Sequence, residues 1–221
     1  MKNLSYLFVL MVVFLLRSSI VLGDSPITST YWAEAYKDVP IIAETIKKVK
    51  GGNQVLSQKE LDFLMNSKNP IAHRLSLINA NSWNIDGLSN APSLLKAFLT
   101  KYKVNKEQDF LDKADSYDLI VYAYCLAMDD YFDVIKSHEI ATMAYKKNQE
   151  NEKDFSYAVG LVYGIISCQI YLNDMNRWCN IYKIANNLKT FYDSDKFKKD
   201  FKEEAAGFIY EYLFIYKDTC N

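Results

Sequence analysis

Glycine and proline are scarce, 7 and 4 in 221 residues. That is too few for the turn density of a sandwich or barrel, and the chain reads as all-α. Histidine is scarcer still, with only His73 and His138. His138-Glu139 opens no H-E-x-x-H pattern because position 142 is Thr, so no zinc site of that kind is encoded. Gly-rich phosphate loops, Gly-x-Ser-x-Gly elbows and Cys-x-x-Cys pairs are also missing, and with them the common signatures of phosphate, acyl and thiol chemistry. No cofactor, metal ligand set or catalytic residue is read from the chain.

An excess of basic charge is absent too. The formal net charge is -1, and the lysine pairs at 47–48, 146–147 and 198–199 are interleaved with acids, as on solvated helix faces. Nucleic acid is therefore not an expected partner. Apart from the first residues, no apolar run approaches the 18 needed to cross a bilayer.

That first segment is what the chain does have. Lys2 precedes an apolar run, Tyr6 to Leu16, followed by a short exit ending in Gly23. Such a run is too short to cross roughly 30 Å of hydrocarbon, and the layout is that of a secretory signal peptide over 1–23. Cleavage after Gly23 gives a mature domain of 24–221 in a secreted or periplasmic location. The one Asn-x-Ser/Thr acceptor, at Asn3, lies inside the leader, in keeping with a bacterial periplasm.

Beyond the leader, Tyr31 to Lys50 reads as helical, with Pro40 either kinking the helix or opening a new one at Val39. Ser57 and Glu60 form a capping box ahead of Leu61 and Leu64, and Asn69-Pro70 restarts a helix. Residues 81–91 are the clearest loop. The span 24–104 is thus an N-terminal helical part. Over 116–217 the pattern is of helical hairpins: Ser116–Tyr131 with Asp133–Gln149, Phe155–Leu172 with Met175–Phe191, and a last helix over Asp195–Lys217. Related triplets, Ile120-Val121-Tyr122, Leu161-Val162-Tyr163 and Phe208-Ile209-Tyr210, recur in three of these helices. Two architectures fit: a solenoid-like array of α-α hairpin repeats, or an irregular helical bundle.

Four cysteines in an oxidising compartment point to disulfides. Cys168 and Cys179 flank the Asn173-Asp174 turn at similar distances and are expected to bridge across a hairpin, leaving Cys125 with Cys220. The alternative is four buried thiols. Asp129, Asp130, Asp133, Asp174 and Asp195 sit where helices begin or end and read as caps rather than an acid–base pair. The Ser82–Gly87 loop has oxygen donors at calcium-like spacing, but with Ser at the first position and Ser93 where a bidentate Glu belongs, its charge is too low for a calcium site. Trp83 in that loop is a candidate partner contact, or a staple holding the loop to the core.

The function expected from these features is a secreted helical binding protein without catalysis. It would take a protein or peptide partner, as an immunity-type protein does. The alternatives are an enzyme of an unfamiliar helical class and a carrier of an apolar ligand.

Overall fold

The computed structural model describes residues 25–150, 155–194 and 198–220. The segment expected to be a signal peptide, 1–23, lies outside them, as does Asp195. Ten α-helices are present among the described residues, with no strand. They are α1 Pro40–Lys50, α2 Gln58–Met65, α3 Ile71–Asn81, α4 Asn90–Tyr102, α5 Glu107–Lys113, α6 Ser116–Asp129, α7 Ile135–Glu150, α8 Tyr157–Leu172, α9 Trp178–Tyr192 and α10 Glu203–Leu213. No helix among the described residues is long and apolar enough to cross a membrane.

The capping chemistry explains most boundaries. Pro40 opens α1 behind Val39. Ser57 and Glu60 complete the capping box of α2, Asp115 accepts from the Asp118 N–H at the start of α6, and Ser156 accepts from Val159 at the start of α8. Two helices carry the centre of the fold. In α6 every residue from Asp118 to Cys125 is buried; in α8 only Tyr163 interrupts a buried run from Tyr157 to Gln169. Helices that are apolar on all sides belong inside, and their amphipathic neighbours cover them. Accordingly α6 packs on α3, α4, α7 and α8, and α8 packs on α7 and α9.

Two expected helices are shortened. Tyr31–Lys50 is divided into a 3-10 turn at Ala33–Tyr36 and α1. The break falls at Pro40: Val39 ahead of it is extended, and proline brings no N–H to continue a ladder. Asn79, a buried residue of α3, caps the turn: its Oδ1 accepts from the N–H groups of Trp32 (2.8 Å) and Ala33 (2.9 Å), and its Nδ2 donates to Thr30 O and Tyr124 Oη. First-turn N–H groups have no partner inside their own helix, so this amide supplies what the turn lacks. The last helix begins at Glu203 instead of Asp195. Residues 198–200 are drawn to the start of α8, where Lys198 bonds to Phe155 and Tyr157 and the Asp200 carboxylate accepts from the Ala158 N–H at 3.0 Å.

Residues distant in sequence close the fold. Tyr36 Oη accepts from the Lys202 N–H at 2.7 Å, Lys202 Nζ donates to Ala35 O, and Ile27 N–H donates to the Gln169 side chain. The three related triplets fall on α6, α8 and α10, but they differ in setting: Ile120 is fully buried, whereas Phe208 is 41 % exposed.

The cysteine pairing differs from expectation. Cys179 is bonded to Cys220, with 4.7 Å between their Cα atoms, and Cys125 and Cys168 are buried free thiols. The 3-10 turn Met175–Arg177 lengthens the connection between α8 and α9, so equal counting from residues 173–174 does not bring Cys168 level with Cys179. Cys168 instead faces Ile181 in the core, and Cys179, in the first turn of α9, meets the C-terminal segment. Cys125 lies on the buried length of α6, out of reach of the exposed Cys220. Burial pushes both free thiols well above the ordinary range, which keeps them protonated and unreactive.

Candidate binding cleft

The loop over 82–89 and the turn after α6 build a concave surface of about 420 Å³, lined by residues 84–88 and 129–132. Both walls are fixed by local hydrogen bonds. Gln54 is the hub on one side: its amide donates to Trp83 O at 2.8 Å and accepts from Asn84 Nδ2 at 3.1 Å, while its backbone carbonyl accepts from Asn81 and Asn90. Gly87 has φ 78°, and a Cβ there would lie 3.2 Å from Asp129 O; only glycine meets both demands. The next residue, Leu88, donates its N–H to that same carbonyl at 2.8 Å.

The other wall is a run of aspartates. Asp129 Oδ2 accepts from the Ala91 N–H at 2.7 Å and so caps α4 from the end of α6. Asp130 Oδ1 accepts from the N–H groups of Phe132 and Asp133, and Asp133 Oδ1 from that of Ile135. These carboxylates therefore work as caps and turn formers. Burial raises the Asp129 carboxyl to about 6, against the smaller opposing effect of the backbone N–H groups it accepts from.

Trp83 is half-buried. Its indole N–H donates to Thr28 O at 3.2 Å and its ring meets Tyr131 edge-on at 5.1 Å, so it fastens the loop to the N-terminal segment. The exposed apolar groups stand beside it: Ile85 is 53 % exposed, Phe132 58 % and Ile135 64 %. The sequence pointed to Trp83, but the surface is offered by its neighbours Ile85 and Phe132. Alternation of aspartate with Phe132 and Ile135 after a helix end was the available signal, and it was absorbed into the capping pattern. Cys125 is close behind the cleft, beside a small cavity of about 10 Å³ that it shares with Asn81 and Asp129. Cys168, Cys179 and Cys220 lie elsewhere.

A second concavity, a groove of about 710 Å³, runs between α2 and α4 over Leu61, Met65 and Ala97, with Asp62, Lys96 and Lys101 on its sides. Lys101 links it to a buried ionic cluster. The Asp118 carboxylate, fully buried, receives Arg74 and Lys101 at 2.5 Å each and the Tyr102 hydroxyl at 2.7 Å, and Arg74 Nε donates to Leu64 O. Both oxygens of Asp118 have partners within the protein, which marks a structural tie between α3, α4 and α6. Burial and the Asp118 carboxylate push the Tyr102 hydroxyl upward.

Comparison with protein-family models, curated proteins and solved structures gave no match to this chain. The cleft is therefore read on its own chemistry.

Proposed function

We propose that the protein is a helical binding protein of an oxidising, extracytoplasmic compartment and docks a protein or peptide partner in the cleft beside Trp83. The observation that carries this is the pair Ile85 and Phe132, both more than half exposed, lining one concave surface, with exposed Ile135 three residues beyond Phe132 in the chain. Large apolar side chains grouped on a rigid surface are the usual mark of an interaction site. The Cys179–Cys220 bond and the leader-like first 23 residues support the compartment.

The two other readings have less behind them. An enzyme needs converging groups of shifted proton affinity near substrate, and Asp129, the raised carboxyl of this cleft, is committed to capping α4. A lipid-sized ligand needs a roomy apolar cavity; the small space behind Asp129 holds about 10 Å³, room for about one water, and the larger groove is rimmed by polar groups.

The test is selection from a random peptide library on the disulfide-intact protein, followed by affinity measurement on wild type and on Ile85→Lys/Phe132→Lys. Selected peptides should lose about tenfold or more in affinity on the double variant, roughly 1.4 kcal/mol or greater. Equal affinity for both proteins would place docking elsewhere and refute the reading.

A further inference from the structure

The charge around the cleft is of one sign. Asp86, Asp129 and Asp130 line it, and no lysine or arginine among the described residues does; Asp133 directly follows the turn's Phe132. Lys136, in the first turn of α7 after the cleft's aspartates, is paired with Glu107 at 2.8 Å. Asp86 is exposed and enters no ion pair among the described residues. Asp130 uses Oδ1 for the turn, which leaves its second oxygen uncommitted.

The cleft is also held rigid: the ring of Tyr131, 3 % exposed, packs against both Trp83 and Phe132.

Resting on the docking reading above, we propose that the occupant is a cationic peptide segment of a partner protein. Its lysine or arginine side chains pair with Asp86 and Asp130, on either side of one bulky apolar side chain seated against Ile85 and Phe132. Exposed ion pairs contribute little affinity each, so the apolar anchor supplies binding and the carboxylates supply selectivity by rejecting acidic segments.

Isothermal titration of the disulfide-intact protein with two short synthetic peptides tests this. Both share a Leu-Trp-Leu core; one is flanked by lysines, the other by glutamates. The lysine peptide should bind about tenfold tighter, and its advantage should shrink between about 50 and 200 mM salt. Asp86→Asn with Asp130→Asn should bring the two peptides to within about twofold, because asparagine keeps the acceptor that holds the turn. Phe132→Ala should weaken both peptides. Equal binding of the two peptides by wild type, lost on Phe132→Ala, overturns the cationic assignment while docking stands. Binding of neither peptide, or binding unaffected by Phe132→Ala, overturns both.

Discussion

Asp129 gives the fold a pH dependence whose sign follows from its position. It closes α6, beside the negative end of that helix, and is 7 % exposed. Burial moves its carboxyl from 3.8 to about 6. Between those values the folded protein binds the proton more tightly than the unfolded chain. The contribution is therefore most favourable below pH 4, and it falls as pH rises through 4 to 6. A tenfold change in proton affinity is about 1.4 kcal/mol, which sets a ceiling of about 3 kcal/mol. The value of about 6 already includes the hydrogen bond from Ala91; the cleft admits some solvent, which screens the group, so about 1–2 kcal/mol is the expected size. Asp129→Asn removes the titration and keeps an acceptor for Ala91. Urea unfolding of both proteins should give equal stability near pH 4, with the variant about 1–2 kcal/mol more stable near pH 7.5. Taking the difference between the two proteins cancels Glu60 and Glu107, whose lowered carboxyls act in the opposite direction. A variant less stable by the same amount at every pH, or a gap that widens toward acid, would refute the reasoning.

Asn79→Ala should cost about 3–4 kcal/mol in urea unfolding, since it strands the N–H groups of Trp32 and Ala33 and the carbonyl of Thr30 in the core; a loss below about 1 kcal/mol would mean that residues 25–36 are held some other way. Alkylation of the denatured, non-reduced protein should label Cys125 and Cys168 and spare Cys179 and Cys220, and label on Cys220 would contradict the pairing. Cys220→Ser should lower stability by up to about 4 kcal/mol, the chain-entropy value for cysteines 41 residues apart.

Helix class and many boundaries were legible because they depend on local chemistry. Ser57 with Glu60, Pro40, and the loop over 82–89 act through neighbours in sequence, and each appears where the pattern put it. What the pattern missed depends on distant residues. Asn79 pins the turn after Tyr31 to α3 from 47 residues away. Asp200, reaching back to Ala158, converts the start of the last expected helix into an extended segment. The cysteine pairing failed for a related reason: the 3-10 turn at Met175–Arg177 shifts the level of Cys179, and composition does not reveal such a turn. The cleft was half legible. Trp83 drew attention to the loop that lines the cleft, but its indole is spent on Thr28; Phe132 and Ile135 stand among aspartates in a pattern that reads equally as capping, and Ile85 carries no signature that sets it apart from a core position.

The most direct test of the docking claim is to map where a library-selected peptide lands, using amide chemical shifts of the disulfide-intact protein. The account predicts perturbations concentrated over 82–89 and 130–135, and their loss on Ile85→Lys/Phe132→Lys. Perturbations centred instead on Leu61, Met65 and Ala97, in the groove between α2 and α4, would contradict it.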